Sequence, residues 1–363
     1  MSTDQAPETA VELAAPDLPA PLVTAPSLVL PDQYGPELTE RLDALDDAAE
    51  DFAARQRPAN TRRAYAGDWK TWTRFALGLG IPLTAAAYKP GVLRTYVTWM
   101  WDQGGEDGRP LAPTTIDRKL AGLAVTLRRD HGVVIPPEFT EAARELLKDL
   151  KRQAAARKEP PRGRGKAPAM RLDALRAIVD ACPDTLTGLR DRATVLLSFA
   201  VAARRHEAAA LMARDLVLVE GEGLDVDVRV SKTHPRQVAV PYGSSPETCP
   251  VRAWQAWQEA AGIEPDTPAL RRMHRTGSVT RAGLSPQSVG AIITEAGRRA
   301  GVSIRFTGHS VRSGMITEAR RAGKDRKAIS NISGHVDGSP VLDGYIQTAD
   351  RWSDQDNALK GVL

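Results

Sequence analysis

Residues 307–345 of this 363-residue chain read TGHSVRSGMITEARRAGKDRKAISNISGHVDGSPVLDGY. The first part has a helical pattern over residues 307–321, and Gly323 predicts the end of that helix because glycine readily adopts the left-handed conformation found at helix ends. His309 and Arg312 are three residues apart at the start of this helix, so they share a face beside backbone N–H groups suited to an anion. The pair is compatible with phosphate binding, although a lone histidine on a helix is more often structural.

Upstream of this stretch, the pattern changes from a buried helix to a β-hairpin. Residues 193–203 are nearly all apolar and predict a buried helix whose end presents Arg204. Glu207 follows three residues later, where a carboxylate either orients the guanidinium or forms an ordinary helix ion pair. Apolar and polar residues alternate over 224–230, and the polar string SKTHPRQ separates them from a second apolar run, which predicts a strand, a turn and a strand. Lys232 lies in this turn, either reaching a ligand or solvated.

Beyond the hairpin, the order Ser285–Pro286 is the preferred cap and first-turn order of a helix, and Gly301 predicts its end. This half of the chain is therefore expected to be mainly α with a small antiparallel β-sheet.

The first half is expected to be helical. Four aromatic residues spaced four, three and three apart line one face of a helix that we expect to be capped by Asn60, and they predict a core rather than a platform for stacked bases. A second helix is expected after Pro113. Basic side chains on the other faces either contact phosphates or solvate the surface. The aromatic residues are Tyr65, Trp69, Trp72 and Phe75, and the basic residues are Arg62, Arg63, Lys70, Arg74, Arg118 and Lys119.

A basic segment separates the two halves. Residues 151–166 read KRQAAARKEPPRGRGK, with seven Lys or Arg against one Glu and no apolar periodicity. This composition predicts a linker, in which Arg162, Arg164 and Lys166 either contact a polyanion or form a solvated charge run. The expected organisation is a disordered acidic Pro/Ala-rich tail (1–50), a helical domain (51–150), the linker (151–169), a second domain (170–345) and a C-terminal tail (346–363).

The charge of the chain is segregated. Residues 1–55 hold 12 acidic side chains against Arg41 and Arg55, a net charge of −10, whereas the whole chain carries +4, which leaves +14 for residues 56–363. A body with this charge has the electrostatic footprint of a polyanion-binding protein, and nucleic acid is the leading candidate partner.

Several classes of protein and of binding site are excluded or disfavoured because the sequence lacks the features that they require. No apolar run approaches the 18 or more residues of a membrane span, and the start MSTDQAPETA lacks the features of a signal peptide, so we expect a cytoplasmic protein with no membrane partner. Cys182 and Cys249 are too few for a disulfide framework or a multi-cysteine metal site. The phosphate-binding loop, the dinucleotide glycine fingerprint and the paired His-Glu zinc motif are missing from the sequence.

Taken in chain order, these residues resemble the tyrosine recombinase, or phage integrase, family. The resemblance rests on Arg204 with Glu207, Lys232 in the hairpin, His309 and Arg312, His335 in ISGH, and Tyr345 ten residues later. It extends to NTRRAYAGDW, similar to the core-binding domain of the family, to TCPVRAW and LSPQSV, similar to its catalytic-domain connectors, and to the tail ADRWSDQDNALKGVL. It covers residues 50–363, and it implies a two-domain DNA clamp made of a helical core-binding domain and a catalytic domain.

The resemblance also implies a mechanism, strand cleavage and rejoining through a 3′-phosphotyrosine, with no cofactor, ATP or metal ion. Tyr345 would be the nucleophile, and Arg204 and Arg312 would hold the phosphate. Lys232 would protonate the leaving 5′-oxygen. In the other roles, His309 would be the base or a phosphate donor, His335 would bond the phosphate, and Glu207 would orient Arg204. The interval between His335 and Tyr345 is one residue longer than the spacing associated with much of the family.

The implied assembly is a homotetramer on a double-stranded recombination site, in which Trp352 and Leu359 would anchor the C-terminal tail on a neighbouring protomer. The expected location is the cytoplasm, in association with the nucleoid, and a directionality factor is a possible further partner. The acidic start of the chain argues against a DNA-binding arm domain, and it either has no effect on DNA binding or competes with DNA. Two alternatives are a type IB topoisomerase, which site dependence would distinguish, and a noncatalytic DNA-binding regulator, which a covalent adduct would exclude.

Overall fold

The structure, a computed structural model, describes residues 34–56, 59–163, 165–231, 234–336, 338–351 and Leu359. The chain divides into two compact units between Gly165 and Lys166, inside the basic segment 151–169. Residues 1–33 of the predicted tail lie outside the described residues, as does Trp352. No helix in the described ranges is both long and apolar enough to cross a membrane.

The described part of the first unit is helical, apart from a 3₁₀ turn at Ala85–Ala87. Its core is formed by side chains from four of the helices, among them Trp72, Tyr96, Leu120 and Leu147, which are fully or almost fully buried. The helices are α1 (Pro36–Gln56), α2 (Ala59–Leu79), α3 (Pro90–Gln103), α4 (Pro113–His131) and α5 (Pro137–Ala156).

Two boundaries of the predicted organisation need correction. Helix α1 includes residues 36–50, which were assigned to the disordered tail. Its acidic composition concealed the helical spacing of Leu38, Leu42 and Leu45. Helix α5 continues to Ala156 and takes in the first six residues of the predicted linker, because KRQAAA consists of strong helix formers even without an apolar stripe.

The aromatic stripe of α2 belongs to a core, as predicted. Trp72 and Phe75 are buried and pack around Tyr96, with Trp72 and Tyr96 edge to face at a centroid distance of 5.1 Å. Trp69 is half-buried and stacks on His131. The predicted cap at Asn60 is wrong. Asn60 lies within the first turn of α2, and its side chain accepts a hydrogen bond from Arg63 instead of a backbone N–H group.

The described part of the second unit is mainly helical, with a three-stranded antiparallel sheet and a second sheet of two strands. This confirms the predicted fold class. Helix α7 packs against α9, α10 and α11. The helices are α6 (Leu172–Asp180), α7 (Leu186–Ala200), α8 (Arg205–Ala210), α9 (Pro250–Ala261), α10 (Pro286–Arg299), α11 (Ser310–Arg321), α12 (Arg326–Ser333) and α13 (Pro340–Asp350), and the strands are β1 (Leu216–Val219), β2 (Gly223–Val228), β3 (Arg236–Pro241), β4 (Arg271–Met273) and β5 (Val279–Gly283).

The three-stranded sheet has the order β1-β2-β3, with Val226 paired to Leu216 on one side and to Val238 on the other. The predicted hairpin is β2–β3, and its alternation places Leu224, Val226 and Val228 in the core. Strand β1 and the β4–β5 pair were not predicted. The run LVLV of β1 has no polar alternation, and β4 is a three-residue strand with two arginines.

Candidate active site

The C-terminal end of α7 provides the backbone on which the site is built. Ala202 has a φ of 47°, the left-handed conformation usually taken by glycine, and it lies two residues after the end of α7. The N–H of Ala203 donates to the carbonyl of Ser198, and the N–H of Ala202 donates to that of Phe199, as in a Schellman motif. The chain therefore reverses sharply here and presents Arg204 as the cap of α8.

Glu207, the third residue of α8, holds Arg204 by two contacts. One carboxylate oxygen accepts a bond from the Arg204 backbone N–H (2.9 Å), and the other accepts one from Arg204 Nη1 (2.7 Å). The side chain of Glu207 is 1% exposed. Burial raises its pKa, but hydrogen bonds from Arg236 and Arg204 outweigh this effect and bring the pKa to about 2. Glu207 is therefore ionised at neutral pH, and the structure brings this pair together.

Arg312 lies in the first turn of α11 and is buried. Its Nη1 donates to the carbonyl of Ala202 (2.8 Å), and its Nη2 lies 3.2 Å from the ring nitrogens of His335. Burial, followed by the positive charge of Arg204, lowers the pKa of the guanidinium to about 9. Arg312 is thus still a cation at neutral pH, and it faces the carbonyl end of α7, where the helix dipole favours positive charge.

His335 follows Gly334, which closes α12 in the left-handed conformation. Ser333 Oγ lies 2.8 Å from His335 Nδ1, and Ser330 Oγ donates to the His335 carbonyl. Burial, then the charges of Arg312 and Arg204, lowers the pKa of His335 to about 4. The imidazole is therefore neutral at pH 7, with one ring N–H to donate.

Tyr345 lies on α13 and is half-buried. Its ring is 6.5 Å from the ring of His335, centroid to centroid, and it packs against a cluster of buried residues that includes Ala202 and Leu342. The structure therefore brings together Arg204, Arg312, His335 and Tyr345.

His309 caps α11 and reaches solvent. Partial desolvation by the surrounding protein, followed by the charges of Arg312 and Arg205, lowers the pKa of this imidazole. Lys232 lies outside the described residues. The residue before it, Ser231, donates a hydrogen bond to Glu207 Oε1 at 3.0 Å. The chain neighbour of Lys232 therefore contacts the carboxylate that holds Arg204.

The predicted phosphate-contact residues of the first unit have different surroundings. Arg62 and Arg63 are exposed, and Lys70 is exposed and pairs with Glu106. Arg118 pairs with buried Asp68 but is 45% exposed.

Two of these basic side chains have contacts inside the first unit. Lys119 is buried, with its ammonium bonded to Asp68 and Thr71 (2.8 Å to the hydroxyl), so its donors are occupied inside the core. Arg74 is partly exposed, donates to the carbonyl of Gly104 and lies over Trp99, so its phosphate contact stays a prediction.

The predicted polyanion-contact residues of the linker also differ from one another in their surroundings. Arg162 lies over the ring of Trp101, 3.9 Å from the centroid, and donates to the Trp101 carbonyl, so it anchors the segment to the first unit. Arg164 lies outside the described residues. Lys166 is exposed, with its Nζ next to Gly344, the residue before Tyr345.

One charged residue of the site was missed by sequence reasoning. Arg236 begins β3 and contacts Glu207, yet in the sequence it belongs to a polar string that predicts only a turn. Its contacts are with residues distant in the chain, so the sequence holds no local signal for them.

The family model described as "Phage integrase family" matches residues 168–351, which is half of the chain and includes every side chain of this site. The chain belongs to the phage integrase family. The predicted family is thus confirmed, and with it a DNA breaking and rejoining enzyme that carries out site-specific recombination. No observation favours a topoisomerase or a regulator.

Two relatives of this phage integrase family member match most of its length. "Integrase/recombinase xerD homolog" of Selenomonas ruminantium is 27% identical over 306 residues, covering 83% of this chain and 84% of the relative. "Tyrosine recombinase XerD" of Corynebacterium glutamicum is 25% identical over 285 residues, covering 73% and 88%.

Two solved structures of integrases share the fold. A lambda integrase dimer bound to a COC′ core site has a TM-score of 0.53 at 17% identity, covering 88% of this chain and 83% of that one. The Tn1549 transposon integrase in complex with circular intermediate DNA has a TM-score of 0.53 at 16% identity, covering 83% and 94%.

Proposed function

We propose that this protein recombines specific DNA sites with Tyr345 as the nucleophile. The observation that supports this assignment is the convergence of two arginines, one neutral histidine and one tyrosine within the second unit. Arg312 contacts His335, and the ring of His335 lies next to that of Tyr345. Arg204 is held by a buried carboxylate.

The reaction needs no external energy source, because one phosphoester bond forms as another breaks. The Tyr345 oxygen forms a bond to a backbone phosphorus while the bond from phosphorus to the 5′-oxygen breaks. His309 accepts the phenol proton, since its lowered pKa keeps it neutral near pH 7. Lys232 gives a proton to the leaving 5′-oxygen. A 5′-hydroxyl of the partner strand then attacks the phosphotyrosine and reverses the steps.

The remaining groups stabilise charge. Arg204 and Arg312 hold the non-bridging oxygens, because a planar guanidinium offers two parallel donors to a phosphate. His335 donates its ring N–H to the same phosphate. These donors are fixed before the substrate arrives, and preorganised donors contribute most to stabilising a charged transition state.

The assembly on DNA is a tetramer in this proposal, and the C-terminal tail couples the protomers. Leu359 is 63% exposed, as an anchor for a neighbouring protomer would be. The protein would act on nucleoid DNA in the cytoplasm, with a directionality factor as a further partner.

Removal of residues 352–363 is expected to prevent the tetramer on DNA while leaving single-protomer binding, measured as complex mass in solution. A DNA-bound tetramer of the truncated chain would contradict this role.

The direct test is to trap the covalent intermediate. The protein is incubated with nicked suicide duplexes tiled from the DNA flanking its gene, in EDTA and without ATP, and adducts are resolved on SDS gels. An adduct on one sequence is expected, with loss in Tyr345→Phe. Tyr242→Phe, which alters a half-buried tyrosine stacked by Arg252 elsewhere in the same unit, is expected to keep the adduct.

Other outcomes would overturn parts of the proposal. Adducts on every duplex would contradict site specificity and favour a topoisomerase. Tight DNA binding without any adduct would contradict the nucleophile assignment and favour a regulator. An adduct that persists in Tyr345→Phe would assign the nucleophile to a different residue.

A further inference from the structure

Arg236 is a cation of the second unit whose side chain is almost fully buried. Its side chain is 7% exposed, and it lies at the start of β3. Its Nη2 donates to Glu207 Oε2 at 2.9 Å and to the carbonyl of Val201 at 3.1 Å, while its Nε donates to the carbonyl of Ile332 at 2.8 Å. One side chain therefore connects β3 with the end of α7, the start of α8 and the end of α12.

These contacts lead to both halves of the proposed active site. Glu207 is the residue that holds Arg204, through both its backbone and its guanidinium. Ile332 lies three residues before His335, at the end of the helix from which His335 emerges. A shift of Arg236 would therefore move the anchor of Arg204 and the end of α12 at the same time.

Arg236 packs closely against Gly334, the residue before His335. A Cβ placed on Gly334 would lie 3.2 Å from Arg236 Cδ and 3.2 Å from its Nη1. The Nη1 atom is buried and has no hydrogen-bond partner among the described residues. A buried donor without a partner is costly, and it is retained where the other contacts of the group determine its position.

We infer that Arg236 is a positioning residue for recombination, fixing Arg204 and His335 relative to each other through Glu207 and the end of α12. The expected effect of Arg236 on DNA cleavage rests on the proposed function. A lysine cannot replace this arginine. The rigid, planar guanidinium binds three acceptors that lie in different directions, whereas an ammonium on a flexible stem would not hold the same acceptors in place. Arg236 does not touch the phosphate in this inference.

The first test compares Arg236→Lys with Arg271→Lys on the duplex that gives the wild-type adduct. Arg271, on β4, is another buried arginine of the same unit, and it donates to the Thr267 hydroxyl, so it controls for loss of a buried guanidinium. Single-turnover cleavage at saturating DNA is expected to fall about 100-fold in Arg236→Lys, the order of effect of an ångström-scale misplacement, with the Kd for DNA changed little. Arg271→Lys is expected to cleave at the wild-type rate.

Three results would overturn the inference. These are cleavage by Arg236→Lys at the wild-type rate, a loss explained entirely by weaker DNA binding, and an equal loss in Arg271→Lys. A wild-type protein that forms no adduct would contradict the proposed function instead, and the second test does not depend on it.

The second test measures His335 directly in the free protein. An NMR titration of labelled histidine should place the pKa of His335 well below its ordinary value in wild type, and Arg236→Gln should shift the midpoint upward, because a nearby cation is lost and the end of α12 loosens. If the glutamine variant does not fold, Arg236→Lys replaces it in this measurement. The lysine retains the charge and the aliphatic stem, so the expected upward shift of the His335 midpoint is smaller. An unchanged midpoint in the folded variant would contradict the inference. Among the described residues, the charged and titratable groups facing His335 are Arg312 of α11, Arg204 and Glu207 at the start of α8, Arg236 of β3 and Tyr345 of α13.

Discussion

Glu207 is an anion surrounded by the cations of the site. Its carboxylate accepts bonds from Arg204, Arg236 and Ser231 while remaining almost fully buried. A buried carboxylate is tolerated only when its oxygens are paired and hydrogen-bonded, and here both oxygens are. Replacing it would therefore leave two buried guanidinium groups without their counter-charge.

Glu207→Gln is expected to lower the free energy of unfolding by about 3–5 kcal/mol, since removing one member of a buried ion pair leaves the other uncompensated. Cleavage should fall in parallel because Arg204 loses its anchor. Urea denaturation measures the first effect. The matched control is Glu295→Gln, an exposed carboxylate paired with Arg298, and it should leave stability almost unchanged. Equal losses in the two variants would contradict the role of burial.

His335 makes folding depend on pH. Its pKa is about 4 in the folded protein against 6.5 for an ordinary histidine, so between these values the unfolded chain binds the proton and the folded chain does not. Stability should therefore fall as the pH is lowered from 6.5 towards 4 and level off below it. Urea denaturation at pH 7 and pH 5 tests this, and His335→Gln should show a smaller difference between the two pH values. The same difference in both proteins would assign the effect to other groups, such as His309.

The site was only partly predictable from single residues. Arg204 with Glu207, and His309 with Arg312, are three residues apart, so local spacing is enough to pair them. Arg236 contacts residues 29 and 96 positions away, and no pattern along the chain carries that information. The burial of Lys119 was missed for the same reason, since its partner Asp68 is 51 residues away.

Helix α12 ends at a glycine whose backbone and surroundings both require it. Gly334→Ala would put a Cβ at a φ of 63° and against Arg236, whereas Gly323→Ala, at a φ of 77°, would meet nothing within 4 Å. Each variant should lose about 1–2 kcal/mol for the left-handed conformation. Only Gly334→Ala should also lose cleavage, measured in a single turnover. Equal cleavage by the two variants would show that the contact with Arg236 is unimportant.

Strand β1 is an edge strand with three consecutive exposed apolar residues, Val217, Leu218 and Val219. Such an edge can pair with another chain, and a lysine on it discourages pairing. Leu218→Lys is therefore expected to reduce concentration-dependent association, measured by light scattering, without changing cleavage. Val230→Lys, an exposed residue outside the strands, is the control and should have little effect. Association that is unaffected by Leu218→Lys would show that the edge is already protected.

Whole elements were predictable where a pattern and its end signals coincided. Helix α10 begins after Ser285, whose hydroxyl accepts a bond from the Ser288 N–H, as the Ser-Pro order predicts. Helix α1 is hard to predict because its acidic composition favours disorder while only its leucine spacing indicates a helix. The short strands β4 and β5 depend on each other across the sheet, and neither has a pattern long enough to identify it alone.

Over the whole chain, charge is separated between an acidic beginning and a basic remainder. Since α1 begins at Pro36, deletion of residues 1–35 removes acidic residues without cutting the helix. We expect this deletion to tighten DNA binding at low salt, because a tethered acidic segment competes with DNA, and the gain should fade as salt screens it. Unchanged affinity across a salt series would contradict competition. A control chain with the acidic residues of 1–35 neutralised should reproduce the gain.

The left-handed backbone at Ala202 limits what evolution or a designed library can place there. The side chain is fully buried, so it must be small, and the conformation disfavours branched residues most strongly. Its carbonyl accepts the Arg312 bond, so a substitution that straightened the turn would also move a proposed catalytic guanidinium. A saturation library at codon 202, selected for recombination, should therefore return alanine and glycine and few other residues.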